Sequence, residues 1–220
     1  MQVDLATFWP KILEATQETI VMVAIALLFA ILIGLPLGIS LVVTRKNGLL
    51  ENGPLFKVLN GIVNFFRSIP FIILLVAILP ITRFIVGTSI GTAAAVVPLV
   101  FFSAPYIARL VESSLLEVNP GVVEAAESMG ATPWQIIYRV FLPEALSSLV
   151  LNITIATIGL VGASAMAGFV GGGGLGDLAI SYGYQRFETN VMIVTVILLV
   201  VIVQTVQTLG NYISKAVRRR

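Results

Sequence analysis

EVNPGVVEAAESMGATPWQIIYRVFLPEA, residues 117–145, is a polar, punctuated interval in a chain that is otherwise overwhelmingly apolar. Asn119 suits an N-cap, with Pro120 at the first helical position, where a missing N–H costs nothing. Gly130 suits the place just past the end of that helix, where backbones turn left-handed. Thr132 then caps a second helix, with Pro133 first in it and Gln135 completing a T-x-x-Q capping box. Pro143 reads as the stop that closes this second helix. The stretch predicts two short helices joined at Gly130 and Ala131, each about ten residues and too short to persist alone in water. Val122, Val123, Ala126 and Met129 form an apolar face on the first, and Ile136, Ile137, Val140 and Phe141 one on the second. Small side chains at Ala125, Ala126 and Ala131 allow a neighbour to come close. Two covers are open: the protein's own helices, or a partner protein.

The composition on either side says what those helices sit beside. The 220 residues are 58% hydrophobic and 11% charged, with mean hydropathy +1.03. Soluble domains carry about a quarter charged residues. A chain this poor in charge cannot wet its own surface, so the bilayer is its solvent. It has no Cys and no His. That excludes disulfides, thiolate chemistry and the commonest general base and metal ligand, and with them most metalloenzyme and catalytic-triad readings.

Charge-free intervals place five transmembrane helices near 19–43, 60–81, 87–108, 148–169 and 190–210. The second contains Arg67, which reaches for the headgroups or lines something wet. With the N-terminus outside, inner segments hold Arg45, Lys46, Lys57, Arg67, Arg109, Arg139, Lys215, Arg218, Arg219 and Arg220, and outer segments only Lys11, Arg83 and Arg186. That bias puts the 117–145 hairpin and the basic tail in the cytoplasm. Lys11, Glu14 and Glu18 do not make a purely basic signal-peptide start, so the first span reads as an uncleaved anchor. One membrane domain is expected at 16–208, followed by a basic cytoplasmic tail at 209–220 that touches anionic lipid.

Other motifs carry less. Gly171, Gly173 and Gly176 match a dinucleotide fingerprint, but they follow a transmembrane helix and not a strand. The run of four glycines reads as a re-entrant turn with closely approaching backbones. No G-x-x-x-x-G-K-[ST] is present, so any ATP is bound elsewhere. Asn152-Ile153-Thr154 is a glycosylation sequon inside a predicted span and is set aside. In the fourth helix Ala156, Gly159 and Ala163 recur as a small-residue face, and Asn152, Thr154, Thr157 and Ser164 are polar groups that should avoid lipid. They suit either helix packing or the wall of a path. A basic tail beside a membrane gives no reason to expect nucleic acid.

Glu124-Ala125-Ala126, Gly130, Val140 and Leu142-Pro143 stand in the spacing of the signature loop of type I ATP-binding cassette importers, which this hairpin resembles. Val140 is the one departure, where that family most often has Ile. FRSIPFIILLV (66–76), TRFIVGTSIG (82–91), GATPWQIIYRVFLPEAL (130–146) and GGGGLGDL (171–178) are similar to the methionine-uptake permeases of this superfamily. The resemblance implies a transport subunit, not an enzyme, in the bacterial cytoplasmic membrane, working as a homodimer. It implies two copies of a cytoplasmic ATPase gripping Glu124, Ala125, Ala126, Gly130, Ala131, Thr132, Pro133, Leu142 and Pro143. An extracytoplasmic substrate-binding lipoprotein would deliver methionine. ATP and magnesium belong to the ATPase, and this chain needs no cofactor. Similar permeases place a methionine at the narrowest part of the closed path, which here is Met166, with Ser164 and Asn152 beside it on the same helix. Alternatives are a permease for another small amino acid, a non-transporting anchor subunit, or an ATP-independent carrier. The last usually wants ionisable groups at midplane, and the spans hold almost none.

Overall fold

The computed structural model describes residues 5–218, all helix and connecting turns with no strand among them. Arg219 and Arg220 of the expected basic tail lie outside the described residues. Helix α1 runs over Leu5–Thr44, its 40 residues spanning roughly 60 Å at 1.5 Å per residue. A hydrocarbon core is about 30 Å thick. The charged Lys11, Glu14 and Glu18 therefore ride on the same helix as the apolar span, which extends well before residue 19.

The second expected span is not one helix. Helix α2 (Gly53–Ser68) meets α3 (Phe71–Ala77) at a bend of 102°, and α4 (Leu79–Val86) follows directly. Pro70 is the cause. The residue before a proline is pushed out of the helical region, and Ile69 has φ −88° and ψ 123°. Among the described residues four helices are long and apolar enough to cross a membrane, and counting this bent pair as one span makes five.

Helix α5 (Thr92–Leu116) begins later than 87 because Gly87 is left-handed and Gly91 also stands at positive φ, which no continuous helix accommodates. It continues past Arg109, whose guanidinium is held by Glu112 in the next turn and by Asn60 and Asn64 of α2. After the hairpin, one helical column covers Pro133–Val170, and α10 covers Thr189–Arg218, so residues 209–218 of the expected tail continue the last helix.

Small residues set the packing, as membrane helices require when lipid offers no hydrophobic drive between them. A Cβ on Gly34 would stand 2.7 Å from Ala104 O, and one on Gly38 2.6 Å from Ala108 O, so α1 and α5 meet backbone to backbone. Gly210 of α10 lies directly on the Thr154 side chain. On the same seam Ser147 Oγ and Ser214 Oγ are 2.9 Å apart. Ala26, Leu75, Leu99, Leu160 and Ala163 fill the core distant from the hairpin, and Val43, Ile107, Leu115, Phe141 and Leu149 fill the core beneath it.

Gly210→Leu should overpack the α10 seam and lower stability by about 1–3 kcal/mol. Gly61→Ala, where a Cβ meets nothing within 4 Å, serves as the control. Melting of the two variants in detergent checks this: equal midpoints would mean that the seam is not closed at Gly210.

Candidate functional site

The hairpin begins as its sequence punctuation demands. Helix α6 (Pro120–Ser128) is capped by Asn119, whose Oδ1 accepts the Gly121 N–H at 2.9 Å. At its far end Gly130 has φ 81°. Gly130 N–H donates to Glu127 O at 2.9 Å and Ala131 N–H to Ala126 O at 3.1 Å, the paired bonds of a Schellman turn. Thr132 Oγ1 then accepts from Gln135 N–H while Gln135 Oε1 accepts from Thr132 N–H, closing the capping box at the start of α7 (Pro133–Ile136).

Pro143 does not stop the second helix. Residues Ile137–Phe141 widen into a π turn, where the Leu142 N–H donates to Ile137 O, five residues back. Helix α8 (Leu142–Ala167) continues at once with Pro143 in its first turn. A proline inside a regular α-helix clashes with the carbonyl four residues before it. The wider turn relieves that clash at Arg139 and lets the hairpin run unbroken into a membrane span.

The protein's own helices cover one face of the hairpin. Ala126, Ile136, Ile137 and Phe141 are buried against Val42 and Val43 of α1 and Val111 and Leu115 of α5, with Val123, Val140, Ala131 and Leu142 half-buried around them. The opposite face is bare: Met129 is 81% exposed, Trp134 63% and Tyr138 64%. The Trp134 and Tyr138 rings lie one turn apart, 6.3 Å between centroids and 20° between planes. Glu124, Ala125 and Thr132 are exposed beside them, as is Pro143. Trp134 and Tyr138 were absent from the expected face, although their i,i+4 spacing marks one side of a helix. A groove separates α6 from the turn after α1, with Arg45 and Lys46 on one wall and Glu124 and Glu127 on the other.

The polar residues of α8 face inward. Asn152 Nδ2 donates to Ser114 Oγ at 2.7 Å and to Leu110 O at 3.3 Å, tying α8 to α5. Ser164 is 1% exposed and donates to Val161 O, and Thr154 and Thr157 donate to backbone carbonyls one turn back. Ala156 and Ala163 are buried, while Gly159 stands on a different, open stripe. That stripe comprises Leu151, Ile155, Gly159, Gly162, Met166 and Phe169, all exposed and spaced by three or four residues. Met166 thus shares a face with the two glycines and not with Ser164 or Asn152.

At the other end of the bundle the four glycines form the expected re-entrant turn, with Gly171, Gly173 and Gly174 at positive φ. The short helix α9 (Gly174–Leu178) is pinned to α1: Gly174 N–H donates to Glu18 Oε2 at 2.7 Å and Leu175 N–H to Thr19 Oγ1 at 2.8 Å. Helix α1 therefore touches the glycine turn at its start and the hairpin at its end. The hairpin and the glycine turn occupy opposite ends of the bundle.

A multi-span helical bundle that projects a capped hairpin has the build of a membrane transport subunit. Its chain belongs to the family of binding-protein-dependent transport system inner membrane components, whose profile matches residues 30–219. It is 54% identical over 209 residues to the probable D-methionine transport system permease protein MetI of Vibrio cholerae, covering 95% of this chain and 93% of that one. It is 52% identical over 157 residues to the D-methionine transport system permease protein MetI of Escherichia coli K12, covering 71% and 72%. Among solved structures it superposes on a chain of the inward-facing MetNI methionine ABC transporter with a TM-score of 0.95 and 48% identity, over 98% of this chain and 99% of the other. An amino acid ABC transporter matches with a TM-score of 0.78 over 98% and 100% of the two chains, and at 22% identity that likeness is of fold.

Thr132→Ala removes a cap of about 1 kcal/mol, and Gly130→Ala forces a Cβ into the left-handed region at a cost of about 1–2 kcal/mol. Both should speed amide hydrogen exchange across the hairpin and leave the α1–α5 seam protected. Unchanged hairpin exchange in both variants would show that these caps do not hold it.

Proposed function

We propose that this chain is the permease subunit of an ATP-driven importer that carries methionine across the bacterial cytoplasmic membrane, and that it works as a homodimer. The observation that carries the reading is the two-faced hairpin: one side is packed into the bundle, and the other presents Met129, Trp134 and Tyr138 at its tip. Two copies of a cytoplasmic ATPase are the occupants we assign to that bare side, with Glu124, Ala125, Ala126, Gly130, Ala131, Thr132 and Pro133 shaping it and Leu142-Pro143 joining it to the span. An extracytoplasmic binding protein supplies the solute at the opposite end. The excess of Lys and Arg at the hairpin side supports this sidedness. Methionine is assigned because the relatives that match nearly the whole chain are named for it.

Coupling follows from the helix that runs from the hairpin into the membrane. Trp134 and Met166 belong to the same column, Pro133–Val170, roughly 50 Å apart at 1.5 Å per residue. Closing of the ATPase pair on ATP moves the two hairpins together, and each column carries that displacement to the open stripe that ends near Met166. The flexible thioether fills the closed path and turns aside when the columns separate. Asn152 and Ser164 set the position of this wall through their bonds to α5 and to their own helix. The ATPase thus biases two global states through contacts that differ between them.

The chain purified from its host membrane should bring an ATPase at equal stoichiometry, and unlabelled methionine should compete for uptake better than other amino acids. Competition by another amino acid alone would reassign the substrate. Gly162→Leu gives a second test, since a Cβ there meets nothing within 4 Å in the single chain. The variant should fold and insert but lose uptake by about ten-fold or more, because a bulky side chain on the open stripe collides with the second copy or blocks the path. Full uptake in Gly162→Leu would favour a non-transporting anchor. Gly130→Pro should likewise abolish uptake with the protein still in the membrane.

A further inference from the structure

A groove of about 380 Å³ lies between the start of α1 and the segment after the glycine turn. Lys11, Glu14, Glu18, Asp177, Tyr182 and Arg186 line it. On α1, Lys11, Glu14 and Glu18 are spaced by three and four residues and so share one face, with Lys11 and Glu14 about 4.5 Å apart along the axis. The two cations gather on Tyr182. Lys11 Nζ donates to the phenol oxygen at 2.5 Å and lies 4.3 Å from the ring centre, and the Arg186 guanidinium lies 4.2 Å from it. The Lys11 hydrogen bond is the main reason that the Tyr182 phenol is held below the usual tyrosine value, with burial acting the other way.

These charges do not neutralise one another. An ion pair does form at the other end of the bundle, between Arg109 and Glu112. Glu18 accepts from the Gly174 backbone and Asp177 from Ser181, and both keep a second carboxylate oxygen. A concave site with separated cations and carboxylates suits a small ligand that carries both signs a few ångströms apart. A protein partner would be met by a flatter surface richer in apolar contacts. We propose that this groove binds the backbone of a free amino acid, with Lys11 and Arg186 on its carboxylate and Glu14 and Glu18 on its ammonium, as a staging site at the entrance to the path. The proposal rests on the amino-acid reading above and deepens it. Charge-assisted bonds to both ends read the zwitterion and leave the side chain unread.

The test uses the full chain in lipid nanodiscs with ring-13C tyrosine, the Tyr182 signal being assigned from Tyr182→Phe. Methionine and norleucine should both shift the Tyr182 resonance saturably. Methionine methyl ester, which lacks the carboxylate, and N-acetylmethionine, which lacks the ammonium, should bind about ten-fold more weakly or worse. Arg186→Gln and Glu14→Gln should each weaken methionine binding about ten-fold. Equal shifts from the blocked analogues would overturn the proposal, as would no shift at methionine concentrations that saturate ATP-driven uptake. If the two variants lose capture of the binding protein while methionine binding is unmoved, the groove is a protein-docking surface and the proposal falls. Uptake by the same chain reconstituted with its ATPase into proteoliposomes separates the two readings. Uptake without a Tyr182 response defeats the staging site alone, while absent methionine uptake counts against the transport assignment and leaves the Tyr182 titration to decide the site.

Discussion

The π turn at Ile137–Phe141 is the feature on which the architecture turns. A proline in a helix interior costs about 3 kcal/mol and ordinarily breaks it. Here one widened turn absorbs Pro143, so a helix that starts at the hairpin tip ends deep in the bundle. With it, hairpin and span form one stiff member. The second widened turn, Ala179–Tyr184, stands at the opposite end, where the re-entrant segment turns toward α10.

Polar groups inside the spans are consumed by this rigidity. Unpaired hydrogen-bonding groups are costly in hydrocarbon. Asn152 therefore bonds Ser114, Ser147 bonds Ser214, and Arg109 bonds Asn60 and Asn64. Each bond ties two helices together. The face of α8 that remains free is the one made of glycine and apolar side chains, which is open to a second copy or a solute without any polar group having to be uncovered.

This explains what the sequence disclosed and what it hid. Asn119, Gly130, Thr132 and Gln135 were legible because caps are local: each uses atoms within a few residues, and no distant contact competes. The inner face of the second hairpin helix was legible from its spacing, and the glycine turn from its composition. On the first helix, by contrast, Val122 and Met129 were expected inward and lie exposed, leaving Ala126 and Val123 to face the bundle. Span ends were not, because charge-free intervals mark where charge begins, whereas helices such as α1 and α5 carry charged turns beyond the apolar part. Pro70 and Pro143 show the limit best. Both follow a hydrophobic residue; one makes a 102° bend and the other is absorbed. The difference is in the backbone before each proline, extended at Ile69 and helical at Leu142 after the π turn, which no local rule encodes. The same holds for Ser164 and Met166, two residues apart and on opposite faces.

The energies suit a lever. To move an equilibrium from 1:99 to 99:1 a partner must favour one state by about 5.5 kcal/mol. Fully burying a large apolar side chain is worth about 1.5–3 kcal/mol. Three such groups at the bare tip, Met129, Trp134 and Tyr138, offer a gross gain of that order. The hairpin is held on its other side by Ala126, Ile136, Ile137 and Phe141, a larger apolar set anchored in two spans. Pulling on the tip therefore moves the helix before it peels the hairpin from the bundle. The caps, at about 1 kcal/mol each, need only keep the tip in shape.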